Sequence, residues 1–405
     1  MKLPPSSILQ AMLRKITERF AWELADPAPL APQWSELEWI VARAVAAMHG
    51  VSPLLSRTLR WPGPAGWGEF LEEQRVHTAQ RHMRIAELLQ RLDCGARESG
   101  VAAVALKGAS LHAMGLYAAG DRPMADIDVL VRPRDVDSAR RLLTSLGFRQ
   151  TRESWKEREF TPVDDHIAAE FGENADNSVK IELHDRICER LPWRITDVSE
   201  RIFPAPPQPG LHGYPCKASL MIHLVLHAAG SMTIRALRLL HLHDLARLSS
   251  QMTERDWDEM LALGSRDGRM WWAFPPLILT SRYYASMIPG RVLEALAEDC
   301  PYLLKTAFTR TTLHDVSCSY LWVEAFPGIR WSRSIREVLE YAKSRVRPDA
   351  GQVALRQRVA DTQACADRGP WSRLSQGRRI LRWITAAQMR PLTMHSVHAA
   401  LAKAQ

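Results

Sequence analysis

The chain predicts an α+β fold: a small mixed sheet with helices, flanked by N-terminal and C-terminal all-helical regions. Three observations carry this expectation. Apolar residues recur at helical spacing across residues 6–92, short β-rich runs alternate with helices from residue 101, and a proline-rich break near residue 204 is followed by a second long helical stretch. The 405 residues leave room for more than one domain. The corresponding divisions are 1–95 (N-terminal helices), 96–203 (core), 204–216 (proline-rich linker) and 217–405 (C-terminal helices).

In the first region Ile8, Met12, Leu13, Ile16, Phe20 and Leu24 lie on one helical face, and residues 67–92 repeat the pattern after the loop Trp61-Pro62-Gly63-Pro64-Ala65-Gly66. In the second, residues 101–106 read as a strand, 110–116 as a short helix, 124–131 as a second strand, and 134–146 as a helix stopped by Gly147. Residues 148–152 read as a third strand. Residues 166–171 and 179–184 read as a strand pair about the turn at 172–177. Pro204, Pro206, Pro207 and Pro209 then exclude helix and strand ladder alike, giving a linker. Beyond it the helical pattern is interrupted at Pro275-Pro276, Pro289-Gly290, Pro327-Gly328 and Arg347-Pro348.

Composition narrows the function classes. With 46% apolar residues the chain is globular rather than disordered. A net charge of +8 favours phosphorylated or otherwise anionic substrates without singling out nucleic acid. The arginines are dispersed, as on an ordinary solvated surface. The six cysteines are far apart and form no C-x-x-C pair, which reads as reduced thiols in a cytosolic protein rather than a disulfide framework or zinc site. The N-terminus does not read as a secretory signal, and no apolar run approaches the roughly 20 residues of a membrane helix. A cytoplasmic protein without a membrane partner is expected.

The most informative stretch is Met124-Ala125-Asp126-Ile127-Asp128-Val129-Leu130-Val131, after the glycine-containing turn Leu106-Lys107-Gly108-Ala109-Ser110. On a strand, residues i and i+2 share a face. Asp126 and Asp128 therefore converge on one side, and Ile127, Val129 and Val131 enter a core on the other. Two adjacent carboxylates repel, and a hard cation such as Mg²⁺ offsets that cost while sharing its remaining positions with waters and phosphates.

These residues resemble the uncharacterised nucleotidyltransferases, a family of the DNA polymerase beta-like superfamily. Leu106-Lys107-Gly108, Arg122-Pro123-Met124-Ala125-Asp126-Ile127-Asp128-Val129-Leu130-Val131, Leu146-Gly147-Phe148 and Ile181-Glu182-Leu183-His184 carry the resemblance. It covers residues 100–190 well, and more weakly the helices to about 250. It implies a nucleotidyltransferase-type sheet and a metal site of Asp126, Asp128 and a third carboxylate, Glu182, with Glu170 and Asp185 competing for that role. Together the three are the expected catalytic residues, binding Mg²⁺ or Mn²⁺. The same resemblance places Lys107, Gly108 and Ser110 at the nucleotide-binding turn, although Ser110 would equally cap a helix. Arg122 is a phosphate clamp or the ion-pair partner of adjacent Asp121; His184 orients Glu182, contacts phosphate, or closes the strand.

The implied reaction is transfer of a nucleoside monophosphate from an NTP such as ATP to a hydroxyl or phosphate of a small-molecule or peptide/protein acceptor. Without an aromatic RNA platform, nucleic acid ranks below these acceptors. The alternatives are a non-catalytic nucleotide-binding or interaction module, or transfer from a nucleotide-sugar at the same metal site. In the helical region His223 and His227, then His241 and His243 beside Asp244, lack the glutamate of a zinc-protease motif and are expected to support or line a substrate cleft.

Overall fold

A computed structural model describes residues 3–165, 171–203, 208–265, 270–348, 375–385 and 388–403. Four helices come first: α1 (Ser6–Ala25), α2 (Glu36–Met48), α3 (Ser52–Thr58) and α4 (Trp67–Glu98). The core follows as β1 (Ala102–Ala105), α5 (Gly108–Ala113), β2 (Asp126–Val131), α6 (Val136–Ser145), β3 (Phe148–Glu153), β4 (Arg158–Pro162), β5 (Lys180–His184), β6 (Cys188–Leu191), β7 (Arg194–Asp197), α7 (Ser199–Ile202) and β8 (Gly210–His212). The last region holds α8 (Lys217–Thr233), α9 (Leu239–Ser249), α10 (Glu254–Ser265), α11 (Phe274–Tyr283), α12 (Gly290–Asp299), α13 (Tyr302–Phe308), α14 (Leu313–Val316), α15 (Ile335–Val346), α16 (Gln376–Ile384) and α17 (Pro391–Lys403). A mixed sheet with helices on either side of it in sequence is thus the observed class.

The sheet runs β3-β4-β5-β2-β1-β8. β2 is parallel to β5 and antiparallel to β1, and β1 is parallel to the short edge strand β8. The β2 alternation is as read from its sequence. Ile127, Val129 and Val131 enter an apolar layer with Ile181 and Leu183 of β5, Ile85, Leu88 and Leu92 of α4, and Leu142 and Leu143 of α6. The opposite face carries Asp126, Asp128 and Leu130. Leu130 joins a second, larger core built with α1–α3, α8 and the helices after it.

Four strands depart from the sequence reading, among them the hairpin β6–β7, which was not anticipated. β5 pairs on its outer side with β4, a segment too polar to announce itself as a strand. The expected strand at 166–171 falls almost wholly outside the described residues. β8 forms inside the span read as linker: it starts directly after Pro209, at Gly210 with φ +122°, where the prolines no longer remove donors. The Asp93 carboxylate on α4 accepts from Leu211 N–H at 2.8 Å, which fixes this edge against the long helix. Pro275 and Pro276 begin α11 instead of breaking a helix, because the first turn needs no N–H donors there.

The five described cysteines, Cys94, Cys188, Cys216, Cys300 and Cys318, are free thiols. Among the described residues no single helix is long and apolar enough to cross a membrane.

Candidate active site

β2 and β5 are parallel and in register, so Asp126 stands beside Lys180, Asp128 beside Glu182, and Leu130 beside His184. Alternation on both strands then presents Asp126, Asp128, Glu182 and His184 on the same sheet face, opposite the apolar layer. Ligand atoms of Asp128, Glu182 and His184 lie within 4.8 Å of one another, close enough to share one metal ion. The strand pair is held at its entrance by α4, where the Arg81 guanidinium donates to the carbonyl of Ala125 at 3.2 Å, just ahead of Asp126.

Asp128 is the hub. Lys107 Nζ donates to its Oδ1 at 2.8 Å, and His184 Nε2 lies 3.0 Å from the same oxygen. Burial opposes the ionised form of Asp128, yet Lys107 and His184 hold its carboxyl well below the ordinary carboxylate range. Among the described residues Glu182 has no such hydrogen-bond partner: its Oε2 is 3.8 Å from His184. Burial first, then Asp128 and Asp126, push the Glu182 carboxyl up to about 9. Burial and neighbouring Asp128 likewise raise Asp126. The cluster therefore carries more carboxylates than Lys107 neutralises.

Lys107 is held in an unusual backbone state, φ +45° and ψ −113°, which a side chain with a Cβ adopts at a cost of about 1–3 kcal/mol. Its N–H donates to the Tyr214 hydroxyl at 3.2 Å, and that hydroxyl lies 2.6 Å from His223 Nδ1. The strain thus delivers the ammonium to Asp128. Gly108 next to it is required on packing grounds, because a Cβ there would collide with Arg122 Nη1 and Met124 Sδ.

Two residues expected to contact phosphate are engaged elsewhere. The Ser110 hydroxyl donates to the carbonyl of Ala105 at 2.7 Å, closing the end of β1. Arg122 borders the cavity but is buried, with Nε and Nη2 donating to the two oxygens of Asp244 at 2.8 and 2.7 Å, while Tyr117 donates to Asp244 at 2.8 Å. Asp121, the adjacent partner considered from sequence, instead pairs with Arg57 and Arg75. Of the competitors for the third carboxylate, Asp185 pairs with Arg158 at 3.2 Å and Glu170 lies outside the described residues.

A cavity of about 370 Å³ opens over the carboxylates, in the range of small-ligand sites. Lys107, Gly108, Asp126, Asp128 and Glu182 form its floor, and Leu224, His227, Arg238, Leu240 and His241 the wall facing them. His227 and His241 line the cleft as expected of that helical segment. His223 and His243 do not: they are buried against Tyr214 and Tyr284. Sequence reading overlooked Arg238, Lys156 and Tyr214; the first two are isolated basic residues in loops, and only their placement in three dimensions marks them.

Residues 35–271 match the model of a family described as uncharacterised nucleotidyltransferase. The chain belongs to this family. The matched span runs from α2 through the core to the helices that wall the cavity, so membership in this nucleotidyltransferase family covers both sides of the cleft. No curated protein and no solved structure matches the chain.

Proposed function

We propose that the protein is a Mg²⁺-dependent nucleotidyltransferase that moves a nucleoside monophosphate from an NTP to a hydroxyl or phosphate of a small-molecule or peptide acceptor. The observation that carries this reading is the register of β2 with β5, which directs Asp126, Asp128 and Glu182 into one cavity in a chain of this family. The donor set suits a divalent ion. It offers hard oxygens, and the raised Glu182 and Asp126 carboxyls mark a cluster short of positive charge. Asp126, Asp128 and Glu182 would hold Mg²⁺ or Mn²⁺, with His184 steadying Asp128. When bound, such an ion neutralises phosphate charge and lowers the pKa of an attacking hydroxyl.

In the transfer, the acceptor oxygen bonds to the α-phosphorus and the bond to the β-phosphate bridging oxygen breaks, releasing pyrophosphate. Lys107 and His184 keep Asp128 ionised and oriented. Glu182 would be ionised once a divalent cation is held beside it, and would then take the proton of the attacking hydroxyl. Glu182 lines the cavity floor.

The test is pyrophosphate release from each of the four NTPs with Mg²⁺, using cell extract as acceptor source. Wild type is expected to release pyrophosphate, and chelation or the double substitution Asp126→Asn, Asp128→Asn to abolish it. Full turnover in that variant would refute the metal assignment; no release with any NTP would refute nucleotidyl transfer. One contact favours a second reading, a non-catalytic nucleotide-binding module: Lys107 Nζ already gives Asp128 a cation at 2.8 Å. Calorimetry showing tight, Mg²⁺-independent nucleotide binding without NTP consumption would support it.

A further inference from the structure

The side chains expected to hold the nucleotide's phosphates are already engaged. Ser110 is bonded to Ala105, Lys107 to Asp128, and Arg122 to Asp244. The floor of the cavity is otherwise carboxylate and repels an anion. The opposite wall has the other sign. Arg238 immediately precedes α9, borders the cavity, is exposed, and makes no ion pair among the described residues. His227 and His241 border the cavity beside it with ring centroids 4.9 Å apart. His227 Nδ1 is buried without a hydrogen-bond partner, 3.5 Å from Glu189. Burial holds both rings well below the ordinary histidine range, so each is neutral and keeps one N–H to donate. Lys156 borders the same cavity, but its ammonium is paired with Glu189, which leaves Arg238 as the uncompensated cation of this wall among the described residues.

We propose that Arg238, with His227 and His241, seats the polyphosphate tail of the NTP, so that the α-phosphate faces the carboxylates while the leaving pyrophosphate lies against the helical wall. This deepens the nucleotidyl-transfer reading and rests on it. It shifts the phosphate site from the turn at Lys107 and Ser110 to helices on the far side of the cleft. A guanidinium suits the task because its fork matches phosphate oxygens in pairs.

The probes are inorganic pyrophosphate and tripolyphosphate, titrated calorimetrically with Mg²⁺ into wild type, Arg238→Gln and Arg238→Lys, with circular dichroism as the check on folding. Because Arg238 is exposed, all three chains are expected to fold alike. Pyrophosphate affinity should fall tenfold or more in Arg238→Gln and less in Arg238→Lys, and pyrophosphate should compete with NTP. Wild-type pyrophosphate affinity in Arg238→Gln would overturn the assignment; if wild type still releases pyrophosphate from NTP, the transfer reading survives it. Arg238-dependent pyrophosphate binding that does not compete with NTP would place a phosphorylated acceptor there and overturn it too. Failure of wild type both to bind pyrophosphate and to release it from any NTP would refute both readings.

Discussion

Arg122→Leu separates a tie between the core and the helical region from a ligand-binding arginine. Arg122 and Asp244 side chains are 9% and 3% exposed, and two hydrogen bonds of 2.8 and 2.7 Å join them. Burial alone would weaken the charged form of Arg122, but Asp244 holds its pKa above the ordinary value. Removing one member of such a pair leaves a buried, uncompensated charge, a cost of about 3–5 kcal/mol. Replacing both by leucine removes the stranded charge, and the remaining penalty is the Tyr117 hydroxyl left without its acceptor, about 1–3 kcal/mol. Urea titration at pH 7 should therefore rank the chains wild type, then Arg122→Leu with Asp244→Leu, then Arg122→Leu alone. Adding Tyr117→Phe should recover most of what the double variant lost. Arg122→Leu unfolding at the wild-type urea midpoint while losing nucleotide affinity would refute the tie and make Arg122 a phosphate ligand.

The two aspartates of β2 should respond oppositely to amidation. Asp126→Asn relieves a raised, repelled carboxyl and should raise the thermal midpoint, whereas Asp128→Asn strands buried Lys107 and should lower it; equal shifts would contradict the assigned roles. Acid should act through His314, which burial and then Arg14 push down to about 4, and through His49, which burial and then His314 push down to about 3. Both folded values lie below that of an unfolded histidine, so the stability owed to neutral rings is complete above about pH 6.5 and erodes as the unfolded chain takes up protons on the way down. Between pH 7 and 5 His314 accounts for about 2 kcal/mol of lost stability. His314→Gln should lose about that much less than wild type over the same interval, measured by urea titration at both pH values, and an identical loss would refute the contribution.

Much of the site's local geometry is legible in sequence because strand alternation is local. Asp126-Ile127-Asp128-Val129 carries its own faces, and the apolar side is observed where alternation puts it. Strand register is not local: that Asp128 stands beside Glu182 follows from pairing between distant segments, and only the family resemblance singled Glu182 out from Glu170 and Asp185. Side-chain partners were the least legible. Arg122 and Asp244 are 122 positions apart, and nothing in the spacing around either residue announces the other. Ser110 reads equally as a phosphate donor or as a structural hydroxyl until its distance to Ala105 is measured. β4 and β8 escaped because one is rich in charge and the other only three residues long, so neither shows the period of two that marks a strand.

The Arg122–Asp244 bond also bears on the order in which the molecule assembles. The carboxylate floor requires β5 to find β2, and the facing wall requires α9 to reach back across 122 residues to Arg122. Closing loops of such length is entropically costly and is rewarded only when the contacts at the far end form. A chain still emerging from the ribosome carries every acidic residue of the floor before it owns any of the opposing histidines or Arg238. Without α9 in place the acidic cluster has no enclosing wall, so the cleft is complete only when the helices after the core have been made and docked.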